Sequence, residues 1–262
     1  MRAMWRNVFD SHAHYDEAAF DADRNELLAA LPERGVCHVV DCGSDLPSSR
    51  KAIALAEQYG YFSAAAGFHP ENANDVPPGW ERDLEALLSS PQVVAVGEIG
   101  LDYHFKENAP REVQRDLFKR QILLAQKHGL PVIIHDRDAH GDTMELLRHY
   151  HPAGVIHCFS GSVEMAAEAI RLGMYIGIGG SVTFKNARVP VEVVKSLPRD
   201  RLVLETDCPY LAPVPFRGKR NDSSLIPHVA EKIAEIRGEN PQEILDYAKK
   251  NAEALFHLPQ NE

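Results

Sequence analysis

Eight times along the chain a short apolar run, rich in β-branched residues, breaks off at Gly, His, Glu, Asp or Ser. The runs are 8–9 (leading into Asp10-Ser11-His12), 36–41, 62–67, 93–97, 131–135, 154–157, 174–178 and 202–205. Runs this short and this continuous suit strands buried on both faces, as in a parallel sheet. Patterns of helical period lie between them. Residues 111–128 are the clearest, with Val113, Leu117, Ile122, Leu124 and Ala125 set among charges and Gly129-Leu130-Pro131 as a stop signal. Residues 164–172, 225–236 and 241–255 read the same way. Strand–helix alternation implies parallel strands joined by right-handed crossovers.

Eight such units in 262 residues match a single-domain (β/α)8 barrel covering 1–262, with a doubly wound open sheet as the other architecture. No Pro/Ser-rich linker, low-complexity tract or longer repeat divides the chain. Loop-like stretches at 69–80, 102–110 and 207–222 each follow a strand, where long ordered loops usually carry function. The formal charge is −10, from 28 bases and 38 acids, which excludes a basic coat over the whole surface. No apolar window is long enough for a membrane span, and Arg2, Arg6 and Asn7 interrupt any signal-peptide core. The four cysteines lack paired C-x-x-C spacing and read as reduced thiols of a cytoplasmic protein.

Thirteen histidines ask where metal or proton chemistry sits. The first run ends in Asp10-Ser11-His12-Ala13-His14, and residues two apart on a strand share a face, so His12 and His14 form a two-nitrogen chelate. By itself an H-x-H pair is weak. However, Glu98, His135, His157 and Asp207 also stand where apolar runs end, and in a barrel those ends converge on one pocket. Six His and carboxylate donors suit two divalent ions ~3.5–4 Å apart, with Glu98 as a bridge. A single such residue would pass as a strand-end cap; six in register would not. By strand alternation Cys158 and Cys208 should turn to the opposite face and serve as packing. His38 reads as packed, His128, His149, His228 and His257 as helix residues, and His104, His140 and His151 as loop residues.

The motifs Phe9-Asp10-Ser11-His12-Ala13-His14, Gly67-Phe68-His69-Pro70, Val96-Gly97-Glu98-Ile99-Gly100-Leu101-Asp102-Tyr103, Ile134-His135-Asp136-Arg137, His157-Cys158-Phe159-Ser160-Gly161, Glu205-Thr206-Asp207-Cys208-Pro209-Tyr210-Leu211 and Arg217-Gly218-Lys219-Arg220-Asn221 resemble, in order, those of the TatD family of metal-dependent deoxyribonucleases, within the amidohydrolase-like barrels. The resemblance spans residue 8 to about 256 and implies a (β/α)8 fold, a divalent-metal centre and hydrolysis of DNA phosphodiesters, with a 3′→5′ exonuclease on single-stranded DNA as the expected activity. It makes His12, His14, Glu98 and Asp207 ligands of one ion, and Glu98, His135 and His157 ligands of the other. Glu98 stands where many related barrels use a carboxylated lysine. After Asn221 the family often has an acidic residue and then Pro; here Asp222-Ser223-Ser224 follows.

Asp207, beside an activated water, is the expected general base, with Glu98 as the second catalytic carboxylate. His69, at the third strand end, is expected to meet the scissile phosphate or leaving oxygen. Arg217, Lys219 and Arg220 concentrate three cations in four residues and, with Arg137, are expected phosphate contacts; Tyr103 is expected to stack on a base. The metal could be Mg2+, Mn2+ or Zn2+. The expected partner is DNA, single-stranded or at 3′ ends, with no membrane and a monomer plausible. Other readings of the same residues are a hydrolase of a small ester, amide or phosphoester, and a metal- or DNA-binding protein without turnover; the presence of both Glu98 and Asp207 argues against the last.

Overall fold

The computed structural model describes residues 5–259. The ends of the expected domain, and residues 1–4 of the segment read for a targeting signal, lie outside them. Eight strands run β1 (Val8–Ala13), β2 (Val36–Cys42), β3 (Phe62–Ala66), β4 (Val93–Asp102), β5 (Val132–Arg137), β6 (Gly154–Ile156), β7 (Met174–Ile178) and β8 (Leu202–Leu204). Each pairs in parallel with the next, in sequence order. Around them lie α1 (Arg24–Ala30), α2 (Leu46–Gln58), α3 (Trp80–Leu88), α4 (Arg111–His128), α5 (His140–Tyr150), α6 (Val163–Arg171), α7 (Arg188–Ser196), α8 (Ile226–Arg237) and α9 (Pro241–Leu255). Among the described residues no helix is long and apolar enough to cross a membrane.

The sheet closes on itself, which excludes the open doubly wound alternative. Ala13 bridges to Cys208, the His14 amide donates to Cys208 O at 2.8 Å, and the Asp207 amide donates to His12 O at 2.9 Å. Side chains complete the seam. Buried Asp10 accepts from the Thr206 amide at 2.9 Å, the Thr206 hydroxyl at 2.7 Å and the Ser223 hydroxyl at 2.6 Å. Ser223 thus ties the eighth loop to the first strand.

Alternation along the strands sorts the apolar residues into two layers. Phe9, Val40, Ala65, Ala95, Ile133, Val155 and Val203 form one cluster, and the end of α9 (Ala252, Leu255) with Phe256 packs onto it. Val8, Val39, Ala64, Val96, Val132, Ile134, Ile156 and Leu202 join the second cluster with the helices. In α4, Phe118 and Ile122 are fully buried, and each contributes roughly 1.5–3 kcal/mol relative to exposure. The helix stops at Gly129, whose φ of 66° suits a left-handed cap.

Two irregularities place the functional side chains. The β1–β2 register shifts between Asp10 and Ala13, and the β4–β5 register shifts between Val96 and Ile99. A bulge re-aims the residues it contains. Plain alternation would turn His12 and Glu98 with Val8 and Val96 toward the helices; instead they face the barrel axis. Strand β4 also runs longer than the apolar run 93–97, because Gly100, Leu101 and Asp102 keep pairing with His135, Asp136 and Arg137. Gly100 has φ 145°, and a Cβ there would lie 2.0 Å from His135 O, so only glycine lets β5 come this close.

Candidate metal centre

His12 lies in β1 and His14 just past it, Glu98 in β4, His135 in β5, and His157 and Asp207 beyond β6 and β8. Backbone φ is 58° at Asp207 and 43° at Cys158, left-handed values that aim the two loop starts back over the barrel mouth. His12 Nε2 is 3.0 Å from His14 Nε2, 3.3 Å from Glu98 Oε2 and 3.6 Å from Asp207 Oδ1. His14 Nε2 is 3.4 Å from Glu98 Oε2 and 3.5 Å from Asp207 Oδ1. Donors around one tetrahedral ion at ~2.0–2.1 Å stand about 3.3–3.4 Å apart, so this quartet is spaced for a single ion.

The other oxygen of Glu98 faces a second set. Oε1 lies 2.9 Å from His135 Nδ1 and 2.9 Å from His157 Nε2, and those two nitrogens are 3.5 Å apart. The Glu98 side chain is only 4% exposed, while that of Asp207, at 19%, is the most open of the donors. The structure therefore brings all six residues of the sequence reading together.

Three of the imidazoles have their second nitrogen turned outward to a partner, the arrangement that fixes tautomer and orientation around a metal. His14 Nδ1 donates to Cys42 O at 2.8 Å, His12 Nδ1 faces Cys42 Sγ at 3.6 Å, and His135 Nε2 faces Asp102 Oδ2 at 3.0 Å. His157 Nδ1 is buried without a hydrogen-bond partner, 3.8 Å from Glu205 Oε1. The donor types, their spacing and this outer layer fit divalent ions. His69 differs. Its Nδ1 accepts the Glu71 amide at 3.2 Å, and burial lowers its pKa, so the ring is neutral with its hydrogen on Nε2, 3.5 Å from Glu98 Oε1. His69 points a donor at the centre, not a lone pair.

Burial opposes charge on every ring here. At His12, with His157 alongside, it wins and lowers the pKa to about 4. At His135 hydrogen bonds to Asp102 and Glu98 outweigh it and raise the pKa to about 10; at His14 those to Asp207 and Glu98 raise it well above the usual value. Burial also works against the Glu98 carboxylate, but the charge of His157 and the hydrogen bond with His12 hold its pKa well below the ordinary range.

Asp102 and Glu205 are the side chains that site reasoning from the sequence missed. Asp102 is fully buried at the end of β4, three residues past Ile99 where the register resumes, and the available signal was an acidic residue four past Glu98 in the same motif. Asp102→Asn should weaken metal affinity by ~10–100-fold with the fold intact, measured by chelator competition. Glu205 accepts from the Cys158 amide, and its Oε2 is buried without a hydrogen-bond partner. It fits because residue 177 is glycine: a Cβ there would lie 2.3 Å from Oε2. Gly177→Ala should destabilise the protein by ~1–3 kcal/mol, read as a lower urea midpoint at unchanged slope. Cys158 and Cys208 lie past β6 and β8, so strand alternation does not orient them; Cys208 is fully buried and Cys158 partly exposed.

The expected substrate contacts sit around the mouth with their groups differently engaged. The Arg220 guanidinium pairs with both oxygens of Asp23, at 2.8 and 2.6 Å, and lies over Phe20. Arg217 lies over Phe184 and Arg137 over Phe105, while Lys219 is exposed. Tyr103 donates its hydroxyl to Asp142 at 2.7 Å and carries Arg111 on its ring, so its face is covered.

Known proteins share this architecture. The pattern of the family described as "TatD related DNase" matches residues 9–257. YabD of Bacillus subtilis, described as an uncharacterized metal-dependent hydrolase, is 42% identical over 96% of this chain and 99% of its own. A protein named 3′-5′ ssDNA/RNA exonuclease TatD from Cronobacter sakazakii is 36% identical over 95% of this chain and 97% of its own. The crystal structure of the TatD homologue YjjV of Escherichia coli K12 superposes with a TM-score of 0.91 at 32% identity, covering 97% of this chain and 99% of that one. Agreement of this extent in sequence and in fold means that the chain belongs to the TatD family of metal-dependent hydrolases.

Proposed function

We propose that this protein is a divalent-metal-dependent deoxyribonuclease acting 3′→5′ on single-stranded DNA at a two-ion centre. The observation that carries the reading is Glu98, whose two oxygens face different donors: Oε2 faces His12 and His14, which also adjoin Asp207, and Oε1 faces His135 and His157. Divalent ions held there supply Lewis acidity and bring the pKa of water toward neutrality. The names of relatives such as the Cronobacter exonuclease favour a nucleic-acid substrate.

The chain's own groups divide the remaining work. Asp207 stays ionised, because burial is outweighed by its hydrogen bond with His14 and by the charges of His157 and His14. Its open carboxylate is placed to accept the proton of the attacking water. The His69 Nε2 hydrogen is aimed to bind a phosphoryl or leaving oxygen as charge develops there. Arg137 and Arg217, held over Phe105 and Phe184, offer guanidinium edges to flanking phosphates at the mouth.

The test is an end-labelled single strand incubated with Mg2+, Mn2+ or Zn2+. A metal-dependent ladder shortening from the 3′ end, absent in Asp207→Ala, is expected. Intact DNA with every metal, in protein that hydrolyses a small phosphodiester, would replace the nuclease reading with the small-substrate one.

A further inference from the structure

Tyr210 stands three residues past Asp207, and Glu17 three residues past His14. The Tyr210 hydroxyl donates to both oxygens of Glu17, at 3.0 and 2.9 Å, so the ring spans the two loops that carry these donors. Its backbone is held on both sides. The Tyr210 amide donates to Asp207 O at 2.8 Å, and the side chain of buried Asn221 donates to Tyr210 O at 2.8 Å and Thr206 O at 3.0 Å. The residue is nonetheless 52% exposed, the most open of the large hydrophobic residues among the described ones.

Other aromatics of the loops beyond the strand ends carry a cation on one face. Guanidinium groups lie over Phe20, Tyr103, Phe105 and Phe184. Among the described residues no guanidinium or ring stacks on Tyr210. A rigid aromatic with open faces, anchored through its hydroxyl next to a donor cluster for phosphoryl chemistry, has the form of a stacking platform.

We propose that Tyr210 is the platform on which the nucleobase beside the scissile phosphodiester stacks. The inference rests on the nuclease reading and adds a subsite to it. Glu17 sets the angle of the ring and the loop backbone sets its height, so a base stacks without reordering the rim. Stacking is indifferent to base identity, so the subsite selects unpaired nucleotides without selecting sequence.

The experiment compares wild type, Tyr210→Ala and Tyr210→Phe on a labelled single strand and on a matched strand whose last two nucleotides are abasic, with methyl p-nitrophenyl phosphate as a base-free small substrate. Tyr210→Ala should lower kcat/KM on the normal strand by about 5- to 140-fold. Tyr210→Phe, which keeps the ring but loses the bond to Glu17, should lose clearly less than Tyr210→Ala, and on the abasic strand all three proteins should converge. Equal losses by Tyr210→Ala on both strands, which a purely structural role produces, would overturn the proposal, as would no loss on either. Wild type that hydrolyses the small phosphodiester and leaves every strand whole would remove the nuclease reading, and the platform with it.

Discussion

Glu98→Gln should lower kcat/KM on single-stranded DNA by about three orders of magnitude or more and remove metal from both donor sets. The substitution keeps the shape of a side chain that is only 4% exposed, so the barrel survives it. What changes is that one of two acceptor oxygens becomes an amide donor facing imidazole nitrogens, and the charge shared by the two sets is gone. The Lewis-acid contribution at risk is several kcal/mol, and each ~1.4 kcal/mol is a factor of ten in rate. Asp207→Asn is the matched control, since Asp207 faces only His12 and His14. Metal analysis of the purified variants should give fewer bound ions in Glu98→Gln than in Asp207→Asn. Wild-type metal content and rate in Glu98→Gln would refute the shared-ligand geometry.

The barrel was legible because its signals are local and repeated. Eight apolar runs, a helix from Arg111 to His128 and another from Pro241 to Leu255 sit where periodicity places them, since burial on two faces leaves a continuous pattern. The gathering of His12, His14, Glu98, His135, His157 and Asp207 was legible because strand ends of a barrel must converge. The aim of each side chain was not. Simple alternation gives His135 its inward face, following Ile133, but not His12 or Glu98, which depend on bulges that no residue type announces. Asp102 and Glu205 were overlooked for a related reason: Asp102 holds the outer nitrogen of His135 and Glu205 lies beside that of His157, placements that become visible only when β4 meets β5 and the eighth loop meets the sixth. Arg220 shows the converse, since a cation in a basic run found its carboxylate in Asp23, almost two hundred residues away in sequence.

Metal loading should release protons, and the metal-free protein should lose stability as the pH rises from neutrality toward 10. Burial disfavours an imidazolium at His135, but Asp102 and Glu98 raise its pKa from 6.5 to about 10, so at pH 7 the metal-free ring is charged. His14 is charged for the parallel reason, with Asp207 and Glu98 as its partners. In each ring the inward nitrogen that would bind a metal carries a hydrogen that must leave first. Titration calorimetry with Zn2+ at pH 7, in buffers of different ionisation enthalpy, should therefore count two protons from these rings, plus a contribution from His157, whose pKa Glu98 also raises against burial, with affinity rising about a hundredfold or more per pH unit. The sign for folding follows from the same shift. A histidine whose pKa is higher in the folded state contributes stability that is full below its unfolded value of 6.5 and is lost as pH passes through about 10. Chelated protein should thus unfold at lower urea concentration at pH 9 than at pH 6.5, and metal-loaded protein should show the difference reduced or reversed, because the ions take over the role of those protons beside Glu98 and Asp207. Calorimetry that finds no proton release at pH 7 would mean that the rings are neutral before metal arrives and that the carboxylates around them are not the force that raises their pKa.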